Sequence, residues 1–415
     1  MSHLIDVDVA IIGGGAAGVS AAIASAKEGA TVLLLERNSF LGGKATAASV
    51  GTICGLYLRS NDTDSRYINT GFVKEFAERL KTKGNTMPYF YKEGLHFLPY
   101  DPFHFKILCD EMILENKVKL FLHTTCISVV KNQNKIEGIE VFAGNRKLNI
   151  TARAFVDSSG EAVINQLSDG ELISSKEQQT SAQVFSLEGV EETNEQKLIL
   201  GLIRRIGKGI ETGALPPNFE RISIVPGSLQ NGRVLLKLSI PKRVSGDINN
   251  LTDLELFSRK AVSELSKYLV ANMTSLKNGH IGYVAPEVGT RTGKRPMGKY
   301  VLSEEDVMEC RKFKDGIANG SWPVEFWNLD KKPLLKYFPL DDYYQIPADC
   351  LRSKFFSNLF YAGRNISATD EAIASARVIG TCLQTGWAAG LLATHHAHEK
   401  DQNKAIKMIQ EHLKV

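Results

Sequence analysis

The sequence lacks several features that would place it in other classes of protein. Its six cysteines include no Cys-x-x-Cys pair, so neither a zinc site nor a disulfide framework is expected. No apolar run reaches the roughly 18 residues of a membrane span, and no basic run is interleaved with aromatics, as nucleic-acid binding would require. The first apolar run begins beside Asp6 and Asp8 rather than after a basic start, so we expect no secretory signal. We therefore predict a cytoplasmic protein with reduced thiols and without metal, membrane span or nucleic-acid partner.

The charge is nearly balanced, with 50 Lys and Arg against 46 Asp and Glu in 415 residues. At roughly 100–200 residues per domain, this length predicts two domains, or one large domain with an inserted lobe. The chain changes character in the middle, where strand-like stretches alternate with helical ones and prolines recur. We predict a discontinuous first domain over 1–165 and 346–415, and a substrate or cap lobe over 166–345.

The N-terminal residues have the pattern of a β-α-β unit. Val7 to Ile12 is a short apolar run, Ala16 to Lys27 has helical spacing, and Thr31 to Leu35 is a second apolar run. Strands that are apolar throughout predict a parallel sheet covered on both faces, and hence an α/β fold. Further elements are predicted as helices at 71–83, 103–116, 254–276 and 372–394, and as strands at 119–130, 136–142, 154–157, 183–187, 222–225, 234–240 and 359–362.

The loop between the first strand and the first helix fits Gly-x-Gly-x-x-Gly. Gly13 permits the tight turn, Gly15 lets a pyrophosphate approach the backbone, and Gly18 lets the helix pack closely on the strand. The helix begins at Ala16 and Ala17, where unpaired N–H groups and the positive end of the helix dipole favour that pyrophosphate. In its strand–helix context, the loop predicts dinucleotide binding.

An acidic residue follows the loop at the distance expected for a dinucleotide site. Glu36 ends the second apolar run, eighteen residues after Gly18, where a carboxylate accepts hydrogen bonds from ribose hydroxyls. The glycine loop alone does not separate FAD from NAD. The segment that follows resembles the glycine pair with which flavoproteins of the glutathione-reductase type approach FAD. It comprises Arg37, Gly42, Gly43, Lys44 and Ala45.

A second resemblance to these flavoproteins lies near the C-terminus. The predicted strand at 359–362 and the turn at Gly363 and Arg364 are similar to their second flavin-contacting strand and turn. The next predicted helix would present its N-terminus to the flavin pyrimidine, where a positive helix end stabilises negative charge on the reduced flavin. The sequence has no second Gly-x-Gly-x-x-Gly, so we expect no separate nicotinamide domain.

Nearly the whole chain resembles the FAD-dependent oxidoreductase family related to fumarate-reductase flavoproteins. The motifs that carry the resemblance are Glu36-Arg37 with Gly42-Gly43, 122–126 (LHTTC), 157–161 (DSSGE), 291–295 (RTGKR), Ile346-Pro347, 362–367 (AGRNIS), Arg377-Val378 and 386–390 (GWAAG). The resemblance implies a Rossmann-like FAD-binding domain, with a parallel sheet, helices and a β-meander, plus an inserted α+β lobe. It implies contacts to FAD from Cys126, Ser159, Gly160, Gly363, Arg364, Asn365, Arg377, Val378 and Ile379.

Three side chains are candidates for the chemistry. Arg291 begins a segment expected to return from the lobe to the flavin, where a guanidinium would clamp a substrate carboxylate or favour anionic reduced flavin. The alternative is a structural salt bridge at the lobe junction, which is the role we favour for Arg295. Cys54 is a candidate redox thiol or cofactor attachment point, although its lone position favours a small buried residue. Tyr344 would orient a substrate or form an aromatic wall of the pocket.

The expected function is two-electron oxidation of a small organic substrate by hydride transfer to flavin N5. A flavin monooxygenase is one enzymic alternative. A fumarate-reductase-like ene reductase, in which Arg291 delivers a proton, is another. The non-enzymic alternative is an FAD-binding scaffold or an electron-transfer subunit. The expected partner is a small-molecule substrate, whose identity the sequence does not specify, and a homodimer or an electron-acceptor partner stays open.

Overall fold

A computed structural model describes residues 4–175, 179–244, 247–329 and 333–413. Its helices are α1 (Ala16–Lys27), α2 (Lys44–Ala47), α3 (Phe72–Gly84), α4 (Pro102–Glu115), α5 (Val163–Leu167), α6 (Glu195–Glu211), α7 (Ile248–Asn272), α8 (Glu304–Met308), α9 (Asp370–Ala376), α10 (Ile379–Ala397) and α11 (Gln402–Gln410). Across the described ranges, no helix combines the length and the apolar character that crossing a bilayer takes.

The strands of the described residues are β1 (Leu4–Ile12), β2 (Val32–Leu35), β3 (Thr52–Ile53), β4 (Tyr89–Tyr91), β5 (Leu95–Pro99), β6 (Lys119–Phe121), β7 (Thr124–Asn132), β8 (Lys135–Ala143), β9 (Arg146–Asp157), β10 (Leu172–Ile173), β11 (Ser181–Glu188), β12 (Ile222–Ile224), β13 (Arg233–Ile240), β14 (His280–Val284), β15 (Arg295–Pro296), β16 (Gly316–Gly320), β17 (Val324–Phe326), β18 (Leu334–Lys336), β19 (Tyr344–Pro347) and β20 (Leu359–Tyr361).

A seven-stranded sheet frames the larger part of the molecule. Strands β6, β2, β1, β9 and β20 run parallel, and β8 and β7 extend the sheet antiparallel from the first half of β9. Val9 and Ile11 of β1 pack with α1 and α10, whereas Ala10 and Ile12 pack with the β7–β8 meander. Because both faces are covered there, the second halves of β1 and β9 and all of β2 are buried and mostly apolar. The predicted α/β fold with a β-meander is confirmed.

A second, antiparallel sheet has the order β12-β13-β11-β14. Since successive side chains of a strand point to opposite faces, Leu236 and Leu238 of β13 pack on α6 and α7, whereas Leu235 packs on the other face with Val184. This other face lies against the segment after α2, where the Tyr283 hydroxyl is 3.1 Å from Ser49 Oγ. The sheet therefore has one face on its own helices and one face toward the larger part of the molecule.

The predicted boundaries of the two domains stay a prediction. The separately packed core extends from Phe185 to Val288. Leu302, Val324 and Ile346, which lie in or at the edge of the predicted lobe, instead pack in the core that contains α1 and α10. Arg295 joins the two regions through a buried ion pair with Asp370 at the start of α9, at 2.5 Å. This ion pair is the structural role that we favoured for Arg295.

Two predicted elements are each divided in the structure. The single strand predicted over 119–130 is wrong, because His123 adopts a positive φ of 51° between β6 and β7, which pair with different neighbours. The single helix predicted over 372–394 is also wrong, because Val378 is extended, with φ −67° and ψ 151°. The second interruption creates a new helix N-terminus at Ile379. No periodicity of apolar residues marks it, since both helices are apolar.

Candidate active site

Two glycine segments lie against each other at the carboxyl end of the parallel sheet. Gly15 and Gly42 form a parallel bridge, and a Cβ added to Gly43 would lie 2.9 Å from the Cα of Gly15. A Cβ on Gly18 would lie 1.8 Å from the carbonyl oxygen of Gly13, so any side chain there would separate α1 from β1. These contacts explain why glycines are needed where the sequence has them.

The N-terminus of α1 is open on one side. A Cβ added to Gly15 would meet only the Cα of Gly43, at 3.8 Å. Gly15 is also the N-cap, and it supplies no side chain to the N–H groups of the first turn, which begins with Ala16 and Ala17. Open space in front of uncapped N–H groups and a positive helix end is the environment that binds a pyrophosphate.

Glu36 is 5% exposed and holds the glycine loop with its carboxylate. One oxygen accepts from the Gly14 N–H at 2.7 Å, and the other accepts from the Asn38 N–H at 2.9 Å. Burial raises the pKa of Glu36, and these two N–H groups partly oppose that effect. A carboxylate has about four acceptor positions, so each oxygen retains one for a ribose hydroxyl.

Lys44 and Arg37 pair with an acidic residue of the antiparallel-sheet region. Lys44 Nζ lies 2.7 Å from a Glu287 carboxylate oxygen, and the Arg37 guanidinium lies 3.4 Å from the same oxygen. Burial lowers the pKa of Lys44, and Glu287 partly offsets this. The ion pairs connect the glycine-pair segment to the residues beyond β14. Direct contact of Lys44 and Arg37 with a cofactor stays a prediction.

The C-terminal turn lies beside the same helix N-terminus. A Cβ on Gly363, which has a φ of 72°, would be 2.9 Å from the Cβ of Ala17. The Asn365 side chain accepts a hydrogen bond from the Gly160 N–H at 3.1 Å. Gly160 is also so close to Arg364 that a Cβ would meet the guanidinium at 2.6 Å. The fold therefore brings three predicted cofactor-binding segments together.

Three other predicted contact residues lie close to these segments. Ser159 donates from its hydroxyl to the buried Asp157 carboxylate at 2.6 Å, which fixes the 157–160 turn. Ala45 is buried in α2, directly after the glycine pair. Cys126 is buried in β7, in the core that the meander shares with β1. Their roles toward the adenine and the ADP moiety stay predictions.

A second group of polar side chains lies where α10 begins. It consists of Lys237, Arg291, Glu325 and Arg377, and we call it the charged cluster. The Glu325 carboxylate accepts from the indole N–H groups of two tryptophans, which are Trp327 at 2.7 Å and Trp322 at 3.0 Å. Arg377 donates to the Glu325 backbone carbonyl at 3.3 Å. Burial opposes ionisation of Glu325, but Arg377, the Trp322 hydrogen bond, Lys237 and Arg291 together lower its pKa.

Arg291 is held in this cluster by contacts on two sides. It donates to the Thr180 carbonyl oxygen and, at 3.3 Å, to the Thr180 hydroxyl. Its guanidinium lies 4.8 Å from the centre of the Trp327 ring, within cation–π distance. Burial and the nearby Arg377 lower the pKa of Arg291 to about 9, with Glu325 opposing the shift. The guanidinium remains charged at neutral pH.

The sequence profile of the FAD dependent oxidoreductase family matches residues 8–413. The chain belongs to this family. It is an FAD-dependent flavoenzyme, and FAD is its cofactor. A comparison with functionally curated proteins gives no significant match.

Two solved structures share the fold at low sequence identity, and a third is similar at a lower TM-score. OxyS anhydrotetracycline hydroxylase from Streptomyces rimosus has a TM-score of 0.52 and 10% identity, over 99% of this chain and 66% of that chain. BexE has a TM-score of 0.51 and 11% identity, over 98% of this chain and 66% of that chain. A geranylgeranyl bacteriochlorophyll reductase-like protein from Thermoplasma acidophilum has a TM-score of 0.48 and 12% identity, over 98% of this chain and 83% of that chain. This chain thus spans about two thirds of the length of OxyS and of BexE. Its likeness to these two structures concerns the fold alone.

The residues of the site fit FAD from the pyrophosphate to the flavin ring. The open N-terminus of α1 and the free acceptor positions of Glu36 fit the ADP half. At the other end, Val378 gives α10 no side-chain cap. Within the part of the chain that the structure describes, the hydroxyl of Thr381 in its first turn and Arg377 Nε are buried without a hydrogen-bond partner. These groups, with the first residue Ile379, would receive the flavin pyrimidine, whose reduced form a positive helix end stabilises.

Cys54 lies beside this helix N-terminus, where its carbonyl accepts from the Gly380 N–H at 2.9 Å. Its side chain packs near Trp322 and Val378. Burial, with a smaller contribution from Glu325, raises the pKa of Cys54 to about 12, so the thiol is protonated at neutral pH. A protonated thiol is a poor nucleophile. A redox or attachment role for Cys54 stays a prediction that this environment does not favour.

Tyr344 is fully buried in the core rather than part of the charged cluster. Its hydroxyl is 2.8 Å from Ser375 Oγ, which in turn donates to the Trp322 carbonyl at 2.5 Å. Burial raises the pKa of Tyr344 well above its usual value. Its contact with a substrate stays a prediction, and positioning of the Trp322 segment accords better with its burial.

Sequence reasoning missed Lys237 and Glu325 as members of the site. Lys237 interrupts an otherwise apolar strand, VLLKLSI, and that interruption is a signal that could have identified it. Glu325 lies between two tryptophans in the sequence WPVEFW, but nothing in the spacing indicates that both indoles donate to it. Both residues become site candidates only when β13 and β17 are placed beside α10.

Proposed function

We propose that the flavoenzyme catalyses two-electron oxidation of a small organic substrate, which binds between the charged cluster and the flavin. The observation that supports this is the meeting of β13, β17 and the start of α10 around half-buried charged side chains. Bound FAD supplies a two-electron acceptor that takes a hydride at N5. Overall, the substrate loses a hydride and a proton, and oxygen or another acceptor later removes the two electrons.

The protein's own groups have distinct tasks in this proposal. The N-terminus of α10, which has no side-chain cap, stabilises negative charge at the pyrimidine end of the cofactor. The Trp322 and Trp327 indoles hold the Glu325 carboxylate in place. Thr180 and Trp327 hold Arg291, so its guanidinium is oriented before the substrate arrives. The antiparallel sheet closes one side of the pocket and excludes water from it.

Ene reduction of the fumarate-reductase type is the second candidate. It is supported by the environment of Arg291, because a guanidinium with a pKa of about 9 gives up a proton more readily than one in water. In that reaction the substrate double bond receives a hydride and, from Arg291, a proton. The direction of electron flow separates the two candidates.

The test is anaerobic bleaching of the yellow holoenzyme. Oxidation predicts that organic donors bleach the flavin and that air restores the colour. Ene reduction or monooxygenation predicts bleaching by NAD(P)H, with reoxidation by an unsaturated acceptor in the first case and by oxygen in the second. A holoenzyme that no donor of a broad panel bleaches would reject an enzymic role and favour a scaffold.

A further inference from the structure

The charged cluster carries more positive charge than its own residues balance. With each group in its ordinary charged form, Lys237, Arg291 and Arg377 contribute three positive charges and Glu325 one negative charge, which gives these four residues a net charge of +2. Arginine does not lose its proton at neutral pH. An oxidised flavin ring is neutral and offsets none of this charge, whereas a reduced, anionic flavin offsets one. Two positive charges therefore remain for another group while the flavin is oxidised, and one remains when it is reduced.

Lys237 is the cation that lacks a protein partner. It lies on the face of β13 that is turned toward the larger part of the molecule, opposite Val184 of β11. Among the described residues, its amino group makes neither a hydrogen bond nor an ion pair. Burial and Arg291 lower its pKa, with Glu325 opposing them. The Lys237 side chain is partly exposed, so a bound anion would take the place of water at this ammonium and pair its charge.

Neighbouring polar atoms also lack partners. Gln179 is 3% exposed, and its amide oxygen accepts from Arg377 at 3.3 Å, whereas its amide nitrogen has no acceptor among the described residues. Arg377 Nε is buried and unpaired as well. Buried donors without acceptors are rare in folded proteins. Their position around the cluster indicates that acceptors come from a ligand as well as from the flavin.

We propose that the substrate is a small organic acid whose carboxylate binds Lys237 and Arg291. This inference rests on the proposed function and specifies the substrate class. The planar guanidinium of Arg291 matches a carboxylate in two-point geometry, and Lys237 contributes a point charge from the opposite wall. A monovalent carboxylate leaves no excess negative charge in the cluster with either form of the flavin, whereas a divalent phosphate leaves an excess with the reduced form.

The test is titration of the oxidised holoenzyme with acid and amide pairs, followed by the visible absorption of the flavin. Benzoate and pentanoate are each compared with benzamide and pentanamide, and inorganic phosphate is a third arm. We expect at least one carboxylate to perturb the spectrum saturably. Its amide should bind about tenfold or more weakly, because a hydrogen bond to a charged group is lost. In a parallel titration of the anaerobically reduced holoenzyme, where one positive charge remains, phosphate should bind more weakly than the carboxylate.

Variants assign the effect to named residues. Lys237→Gln and Arg291→Gln should each weaken carboxylate binding about tenfold or more and leave amide binding unchanged. Lys237→Arg should restore most of the affinity that Lys237→Gln loses. The matched control is Lys260→Gln, which removes an exposed lysine of α7 that pairs at 3.8 Å with Glu264. This control should bind like the parent protein.

Several results would overturn the carboxylate assignment. The first two are that acids and amides bind equally well, or that neither acid perturbs the flavin spectrum. The others are that phosphate binds the reduced holoenzyme more strongly than the carboxylate does, or that Lys237→Gln and Arg291→Gln leave carboxylate binding unchanged. Failure of the proposed function is a separate outcome. If no donor bleaches the flavin but carboxylate binding depends on Lys237, the anion site stands and the oxidation does not. If neutral donors bleach the flavin as well as acids do, the oxidation stands and the assignment of the substrate as an acid does not.

Discussion

The two halves of the site are built in opposite ways. The nucleotide half, formed by the loops 13–18, 36–45, 157–160 and 363–365, uses backbone groups and close contacts between glycines. The substrate half, formed by the charged cluster and its tryptophans, uses long side chains from strands and loops that are distant in sequence. A site made of backbone needs glycines at fixed spacing, whereas a site made of side chains needs only that the fold bring them together. The two halves should therefore fail in different ways when changed.

The largest effect is expected in the nucleotide half. Glu36→Arg removes two hydrogen bonds to the loop and places a cation where ribose hydroxyls would bind. We expect FAD affinity to fall by about 4 kcal/mol, or roughly a thousandfold. The measurement is fluorescence titration of deflavinated protein with FAD. Glu137→Arg, an exposed change in β8, is the control and should bind normally. Unchanged retention in Glu36→Arg would remove this residue from the ribose site.

A second change tests the close packing of the nucleotide half. Gly18→Ala places a Cβ 1.8 Å from the Gly13 carbonyl oxygen, so α1 must move away from β1. We expect the free energy of unfolding to fall by about 3 kcal/mol, from overpacking. Urea unfolding measures this. Gly207→Ala in α6, where a Cβ meets nothing within 4 Å, should gain up to about 1 kcal/mol from helix propensity. Equal stability of the two variants would contradict the packing argument.

The substrate half offers a change that depends on pH. Glu325→Gln leaves the three cations of the charged cluster without their carboxylate, and we expect the free energy of unfolding to fall by about 2 kcal/mol at neutral pH. FAD affinity should change little, because the nucleotide half is untouched.

The sign of the pH effect follows from the lowered pKa of Glu325 in the folded protein. The carboxylate contributes stability above its unfolded pKa of about 4.3, and this is lost as pH falls through the lower folded pKa. Urea unfolding in a pH series should show the gap between Glu325→Gln and the parent closing in acid. A gap that persists unchanged into acid would rule out this charge assignment. The exposed change Glu137→Gln should show no such gap.

The smallest effect is expected at Cys54. Because its thiol is protonated at neutral pH, Cys54→Ser should change the rate of flavin reduction by less than about threefold. Cys382→Ser, at another buried thiol whose pKa is also raised to about 12, serves as the control. Stopped-flow absorbance with an active donor measures both rates. Loss of reduction in Cys54→Ser alone would restore the redox role predicted from the sequence.

The fold was predictable where local pattern and tertiary contacts agree. The β-α-β unit and the meander follow from apolar runs and turns, and the structure has them. The predicted strand over 119–130 failed because one backbone conformation at His123 redirects the chain without changing the apolar pattern. The predicted helix over 372–394 failed for a similar reason, since an extended Val378 interrupts it without glycine or proline. Single-residue backbone changes of this kind are set by contacts across the fold.

The sequence by itself determined the nucleotide half. The glycine spacing and the Gly42-Gly43 pair specify a dinucleotide site because close backbone contact permits no side chain at those positions. Glu36 adds the carboxylate that such a site has near the ribose. Only the tertiary structure decided the substrate half. Lys237, Arg291, Glu325 and Arg377 share no spacing, and they become one cluster because the fold brings β13, β17 and the end of α9 close enough for their charges to interact. Charges that interact through space leave no pattern along a chain, whereas backbone that must approach a ligand does.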